Sequence, residues 1–544
     1  MTDIEILDTT LRDGAQGENI NFSLRDKIAV TEALDELGVT WIEAGNPGSN
    51  PKDMEFFKTF SSLKLKNAKL CAFGSTRKKG VKACDDNNLV SMLNHKANIE
   101  GAVIFGKSWE LHVNEILKVT PQENIDMIFD TVAFLKKEGL TVIYDAEHFF
   151  DGWADNNAYA LSALKAAADA GADRIVLCDT NGGSFPVRIA EAVLEAVSEL
   201  PDTIIGIHAH NDCGLALANA VTAVEEGCTH VQGTLVGFGE RCGNTQLASL
   251  IPSLELKFNL RCLPGGNLVK INEITRRVAE IANVNISDDM PYIGAHAFSH
   301  KAGMHSDGVI KINRSFEHID PSAVGNNRHL LLSEVGGRAA IAERVKKIEK
   351  DVHKDHPVII SLAEKLKNLE AEGWAYEGAD ASFEILTLRE LGRYTPLFSI
   401  EAYRVTSEHP AGDRLECSYA WVKVLVGDQS EVAAAEGVGP VGALDSALRR
   451  ALTRFFPGAA KVRLEDYKVR VIDGKDATAA RVRVLIESTD GLRSWNTVGV
   501  SADIIDASRA ALVDSIEYML IKSEEWQIKN VESEEKSMKQ ENKR

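Results

Sequence analysis

The stretch Thr203-Ile204-Ile205-Gly206-Ile207-His208-Ala209-His210-Asn211-Asp212 decides how this chain is organised. It opens on a short apolar run of the kind that forms a buried strand. Residues two apart in a strand point to the same side. His208 and His210 therefore present two imidazoles to one place, as a metal site requires. A pair of strand-end histidines with satisfied hydrogen bonds would give the same pattern, so the metal reading needs ligands from elsewhere in the chain.

Working outward, the same kind of run recurs. Ile4–Leu7, Thr40–Ala44, Lys69–Phe73, Gly101–Phe105, Thr141–Tyr144, Arg174–Leu177, Ile204–His208 and His230–Leu235 are short and apolar. Helical patterns lie between them, among them Arg25–Leu37, Asn124–Glu138, Asn156–Ala170, Phe185–Glu199 and Leu215–Glu226. Glu36–Val39 and Ala170–Asp173 carry glycines suited to helix C-terminal turns. Eight β/α units over about 250 residues match the count and size of a (β/α)8 barrel. A doubly wound open sheet is the alternative. It would break the alternation and show a Gly-rich nucleotide loop after an early strand, which is absent here.

The 544 residues exceed what one core usually holds, so two or three domains are expected. Apolar and charged contents of 44% and 26% are those of a globular protein. A formal net charge of −19 argues against nucleic acid and anionic membrane as partners. No apolar run reaches the length of a membrane span, and the N-terminus has no signal-like segment. Eight scattered cysteines without CxxC spacing fit reduced thiols, so a cytoplasmic location is expected and a zinc–thiolate site is not.

The expected division is a catalytic barrel at 1–265, a helical linker with a loop over the active site at 266–390, a second domain at 391–526, and a charged, disordered tail at 527–544. The linker carries His296, His300 and His305 in one short loop, and Ala339–Ala371 reads as a charged helical segment. The second domain repeats itself. Strand-like runs at Phe398–Thr406, Ser418–Val426 and Glu431–Glu436 precede a helix ending near Phe456. Val462–Val471, Ala480–Ile486 and Trp495–Val498 then precede another ending near Leu520.

Polar residues cluster just after the barrel runs: Asp8, Arg12 and Asp13; Glu43; Tyr144 and Glu147; Asp179 and Thr180; the two histidines; and Gly237-Phe238-Gly239-Glu240-Arg241-Cys242-Gly243-Asn244. In a barrel these ends converge on the face that carries active sites. Asp13 with His208 and His210 makes a mixed oxygen and nitrogen donor set suited to Mg, Mn, Zn or Co, to which Asn244 could add an oxygen. Arg12 beside Asp13 would stabilise negative charge developing near the metal.

Leu7-Asp8-Thr9-Thr10-Leu11-Arg12-Asp13-Gly14-Ala15-Gln16 resembles the first-strand signature of the 2-isopropylmalate, homocitrate and citramalate synthases. His208–Asp212, Gly237–Asn244 and His300-Lys301-Ala302-Gly303-Met304-His305 match the family's other signatures in order. The resemblance implies a (β/α)8 barrel, a divalent metal, and Claisen condensation of acetyl-CoA with a 2-keto acid. It implies metal ligation by Asp13, His208, His210 and Asn244. Arg12 would act at the keto oxygen, Thr180 and Tyr144 would line the keto-acid site, and Glu147 would contact the acetyl group or a water. The loop Gly237, Gly239, Glu240 and Arg241 would meet acetyl-CoA, and His305 would serve in acid–base chemistry. Phe316 stands where the family's isopropylmalate branch has a tyrosine, and a phenyl ring cannot carry a proton.

Ile104-Phe105-Gly106-Lys107-Ser108-Trp109 looks like the citramalate synthase branch, which uses pyruvate, and Phe105 at the pocket would favour a methyl over an isopropyl group. The repeated domain looks like the family's amino-acid-sensing regulatory domain. It implies a homodimer and an effector, with isoleucine ahead of leucine. Gly437, Gly439 and Gly499 are expected in loops that open the two helices, where backbone N–H groups could hold an α-carboxylate. An isopropylmalate synthase, an acyl-CoA lyase of the 3-hydroxy-3-methylglutaryl type and a non-catalytic amino-acid sensor are the alternatives.

Overall fold

The computed structural model describes residues 3–59, 65–301, 303–330, 337–408, 417–472 and 480–523. The tail expected from Gln527 lies outside them. Contacts divide the chain into two units. The first runs to Phe298 and takes in Glu317–Arg328, and the second holds Ser299–Phe316 and everything from His329. The interval 266–390 is thus split between the units.

In the first unit, β1 (Glu5–Asp8), β2 (Trp41–Glu43), β3 (Lys69–Ser75), β4 (Gly101–Lys107), β5 (Thr141–Glu147), β6 (Arg174–Asp179), β7 (Ile204–Ala209) and β8 (His230–Gly233) close in sequence order into a parallel barrel. β1 pairs with β8, with Leu7 opposite Gln232. All eight apolar runs are strands of this barrel. The helices are α1 (Leu24–Leu37), α2 (Pro51–Thr59), α3 (Asn87–Leu93), α4 (Pro121–Lys137), α5 (Phe149–Asp169), α6 (Pro186–Glu199), α7 (Ala216–Glu225), α8 (Leu247–Lys257) and α9 (Ile271–Ile281). Ser23 and Asp26 cap α1 reciprocally, and Gly38 ends it at φ +94°, a left-handed conformation that glycine adopts without strain. α5 starts about two turns before the expected Asn156, which instead marks a break inside it at φ −152°.

Strand alternation sorts the side chains into two cores. Outward residues such as Ile6, Ile42, Leu70, Ile104, Val142 and Ile207 pack against the helices. Inward residues Leu7, Trp41, Cys71, Val103, Ile143 and Val176 fill the barrel's centre. Below them, Glu5 binds Arg174 through two hydrogen bonds of 2.5 and 2.6 Å and meets His230 at 3.3 Å. The cations of Arg174 and Lys69 lie 5.3 and 5.2 Å from the Trp41 ring. The floor of the barrel is therefore filled.

The second unit begins with β9 (Ser299–His300) paired to β10 (His329–Leu330), with α10 (Gly303–Lys311) between them in sequence. α11 (Gly337–Val345), α12 (Pro357–Ala371) and α13 (Asp380–Glu390) follow, so the expected Ala339–Ala371 segment is two helices. Then β11 (Ser399–Glu408), β12 (Cys417–Val426) and β13 (Gln429–Gly437) lead to α14 (Pro440–Thr453). β14 (Arg463–Val471), β15 (Val482–Thr489) and β16 (Ser494–Ser501) lead in turn to α15 (Ile504–Ile521), and the duplication is complete. The two helices and the inner sheet faces share one core, including Val422, Val424, Leu444, Leu448, Val484, Ile486 and Leu512.

The loop expectation for the duplicated glycines is corrected here. Gly437 ends β13 and Gly499 lies within β16, while α15 opens only at Ile504, capped by Asp503. A Cβ on Gly437 would sit 2.4 Å from the Ala443 nitrogen, and one on Gly499 would sit 2.0 Å from the Ala507 oxygen. These two glycines let a strand lie directly against a helix backbone. Of the three, Gly439 alone sits at a helix N-cap. Among the described residues no helix is long and apolar enough to cross a membrane. Replacing Gly499 with valine is expected to destabilise the second unit by about 1–3 kcal/mol, the usual range for overpacking. Chemical denaturation followed by far-UV circular dichroism measures this, and an unshifted midpoint would contradict the contact.

Candidate active site

One step above the barrel's apolar centre, the same inward positions change chemistry. Trp41 gives way to Glu43, Cys71 to Phe73, Val103 to Phe105, Ile143 to Asp145 and Val176 to Cys178. On β7 the inward series continues through His208 to His210, just past the strand. On β8 it reaches Gln232. The period-two pattern thus builds a polar layer on the C-terminal face of a dry plug.

Asp13, His208 and His210 each bring a donor atom into one buried cluster, all within 4.8 Å of one another. The Nε2 atoms of both histidines lie 3.9 Å from Asp13 Oδ2. Burial, and then the neighbouring His210, lowers the His208 imidazole to about 4. Burial likewise lowers His210. Burial alone would raise the Asp13 carboxyl, but the Arg12 guanidinium, with help from the two histidines, outweighs it and holds Asp13 well below the ordinary carboxylate range. Two neutral imidazoles and one carboxylate are the donor set a divalent metal takes. Asn244 donates from Nδ2 to Asp13 Oδ1 at 2.7 Å, and its own Oδ1 is buried without a hydrogen-bond partner. An orphaned buried oxygen beside such a cluster fits a further ligand. The close approach needs Gly239, where a Cβ would lie 2.1 Å from Asn244 Nδ2.

Arg12 is gripped on three sides. Its Nε donates to Glu43 Oε2 at 2.7 Å and its Nη1 to Asp13 Oδ2 at 2.8 Å. The Phe73 ring lies 3.9 Å from the guanidinium carbon. Thr9 also donates to the Glu43 oxygen that Arg12 uses. Phe73 in turn stacks on Phe105, with centroids 5.2 Å apart and planes inclined by 14°.

A cavity of about 200 Å³ opens over these groups, lined by Arg12, Asp13, Gln16, Phe73, Phe105, Asp145, Glu147, Cys178, Thr180, His208, His210 and Glu240. Phe105, Glu147, Thr180 and Glu240, all named in the sequence reading, are among its lining residues. Glu147 pairs with Lys107. Thr180 accepts from the His148 N–H through its hydroxyl oxygen, at 2.8 Å, and from Arg241 through its carbonyl, at 2.6 Å. Tyr144 is a correction. It does not line the cavity. It is fully buried among the outward-facing core residues of β5, because it has the opposite parity to Asp145 and Glu147. Arg241, at φ +55°, is engaged by both oxygens of Asp212 as well as by Thr180, so it straps three strand ends together. Gly237, at φ +91°, packs its backbone on the Gln246 side chain. His305 is exposed on α10 in the second unit and stacks on Phe316, centroids 4.3 Å apart.

Three residues of this face have no role in the sequence reading, Gln16, Asp145 and Gln232, and Phe73 enters it only within the stretch Cys71–Lys78 expected to shape the side-chain pocket. The parity that ties Ile143 to Glu147 also selects Asp145, and the parity that ties Cys71 to its strand selects Phe73. A second cavity, of about 250 Å³, shares Arg12, Gln16 and Phe73 with the first and is otherwise lined by residues such as Asn21, Asn46, Asn50 and Lys52.

An eight-stranded barrel with this polar face is matched by the HMGL-like family model over residues 3–278, and the chain belongs to that family. The model described as homocitrate synthase post-HMGL domain-like matches 292–373, and the LeuA allosteric (dimerisation) domain matches 377–520. Within the family, the chain is similar over nearly its whole length to (R)-citramalate synthases. That of Aquifex aeolicus is 46% identical across 96% of this chain and 98% of its own length. That of Sulfolobus acidocaldarius is 46% identical across 95% and 97%. The 2-isopropylmalate synthase of Methanocaldococcus jannaschii is 30% identical across 96% and 95%.

Removing a cluster imidazole tests the donor set directly. His210→Ala is expected to weaken Co²⁺ binding to metal-free protein by more than about 100-fold, beyond the loss typical of a residue that only supports a ligand. Isothermal titration calorimetry reads this without substrate, and unchanged affinity would remove His210 from the set.

Proposed function

We propose that the chain is an acyltransferase that condenses acetyl-CoA with pyruvate and hydrolyses the thioester, giving citramalate and CoA. The relatives of 46% identity over nearly the full length support the reaction. The observation that carries the choice of keto acid is the Phe73–Phe105 stack across the cavity that holds the Asp13–His208–His210 cluster. It leaves a flat aromatic wall where a larger 2-keto acid would need room for a branched side chain.

A divalent metal, Mn, Mg, Zn or Co, held by Asp13, His208 and His210 with Asn244 as a further oxygen donor, would supply Lewis acidity toward the 2-keto acid. The chain's own groups do the rest. Arg12, fixed by Glu43, Asp13 and Phe73, would present its remaining N–H groups to the keto oxygen as that oxygen gains charge. A preorganised cation in a buried site acts with little reorganisation at the moment of reaction. With its oxygen already accepting from His148, the Thr180 hydroxyl has its proton available for the substrate carboxylate. Phe105 would take the methyl group. Glu147 would face the acetyl group or the hydrolytic water, with Lys107 holding its carboxylate. The second cavity, walled by Arg12 and Gln16 and rich in carboxamides, suits the acetyl thioester better than the 237–241 loop, whose Arg241 is already engaged. His305 is the proposed acid–base group, without help from a tyrosine at Phe316.

The dimerisation-domain match supports a homodimer controlled by an end-product amino acid. Tyr419, Trp421 and Val432 leave apolar surface on the open face of the first regulatory sheet, as a pairing surface would. Citramalate formation extends pyruvate toward isoleucine, so isoleucine is the proposed effector. All eight cysteines are free, which supports a reducing cytoplasm as the compartment.

Two measurements check this reading. Following thiol release with acetyl-CoA, pyruvate should be preferred over 2-ketoisovalerate by about 2–4 kcal/mol in kcat/KM, the cost of two extra methyl groups in a filled pocket. Phe105→Ala should narrow the gap. Equal kcat/KM for both acids in the unmutated enzyme would rule out the citramalate branch, and no thiol release with either would exclude both the citramalate and the isopropylmalate readings. Titrating the full-length enzyme with isoleucine and leucine at fixed pyruvate should show inhibition by isoleucine at the lower concentration. The reverse order would reassign the effector.

A further inference from the structure

His208 has two ring nitrogens, and only the one without a proton can bind a metal. Its Nδ1 lies 2.9 Å from the Gln232 Oε1 oxygen on β8. The Gln232 carboxamide is itself fixed from the far side, where its Nε2 donates to Asp145 Oδ1 on β5 at 2.9 Å. Gln232 and His208 are both buried, and Asp145 is 3% exposed. A side-chain amide can be turned end for end, so its contacts alone do not say which end faces the imidazole. Asp145 supplies that information. In the structure an Asp145 oxygen accepts from the NH₂ end, which turns the carbonyl end to His208. A carbonyl only accepts, so His208 has to carry its proton on Nδ1. Nε2, the atom 3.9 Å from Asp13, is left with a bare lone pair.

We infer that Gln232 is a positioning residue for the metal centre, that it selects the metal-binding tautomer of His208, and that Asp145 acts on the metal through Gln232. The inference rests on the Asp13–His208–His210 reading given above. It assigns two of the residues that the sequence left unexplained. It also accounts for a polar side chain on β8 directly above His230, where the barrel's centre is otherwise apolar.

The test uses metal-free, full-length protein and Co²⁺ as the probe, without substrate. Gln232→Met keeps the length of the side chain and removes the carbonyl. It is expected to weaken Co²⁺ binding by about 10–100-fold, the range typical when a ligand's supporting hydrogen bond is lost. Asp145→Leu should weaken it less, because Gln232 remains but is no longer oriented. The double variant should be no weaker than Gln232→Met alone, since one relay can be broken only once. Losses that add would overturn the relay, because Asp145 would then act on the metal by its own charge. A second readout needs no variant at position 232. Nitrogen-15 NMR of histidine-labelled, metal-free protein at neutral pH should show one ring protonated on Nδ1, identified by its absence in His208→Ala. A His208 ring protonated on Nε2 overturns the assignment. Wild-type protein that takes up no Co²⁺ overturns the metal reading and this inference together. Wild-type uptake with an unchanged Gln232→Met isotherm overturns this inference alone.

Discussion

A closed barrel of parallel strands gives each strand one inward side chain per layer, and every other feature of the active face depends on that constraint. The layer of Leu7, Trp41, Cys71, Val103, Ile143 and Val176 has to be apolar, because eight strands leave room inside only for side chains. Two residues further on, water and ligands are within reach, and the same strands deliver Glu43, Phe73, Phe105, Asp145 and His208. No loop has to be folded precisely to bring these groups together. Strand register brings them, and backbone hydrogen bonds hold it.

Within that layer, charge is arranged so that each ion has a defined neighbour. Arg12 and Asp13 are adjacent in the chain and paired in space, and Glu43 takes the other edge of the guanidinium. Burying one of these charges alone would be costly, whereas the set compensates itself. Burial and then the Glu43 charge push the Asp145 carboxyl well above the ordinary range. Neutral imidazoles, an anchored cation and one strongly acidic carboxylate are consistent with a centre that binds a metal and an anionic substrate side by side.

Much of this was legible in the sequence, and the exceptions have a common physical origin. The eight runs, the repeat in the second unit and the cluster Arg12, Asp13, His208 and His210 follow from periodicity and position. Tyr144 was misplaced because a residue near a strand's end can be credited to the active face without checking which side of the sheet it occupies. Counting back from Glu147 puts Asp145 inside and Tyr144 outside. Gly437 and Gly499 are expected in loops where helix N–H groups could hold a carboxylate, but their use is the absence of a side chain where strand meets helix. Arg241 is given to acetyl-CoA by the family resemblance, which says nothing of its neighbours. Its partners, Asp212 and the Thr180 carbonyl, come from other strands and cannot be found by local pattern. Gln232 shows the same limit, since its meaning lies in two neighbours that are 24 and 87 residues away.

The floor of the barrel has a consequence of its own. Glu5, Arg174, His230, Lys69 and Trp41 form a stopper of paired charges around an indole. A vessel stoppered at one end exchanges its contents only through the other. Whatever enters from the active face meets this stopper and leaves by the way it came.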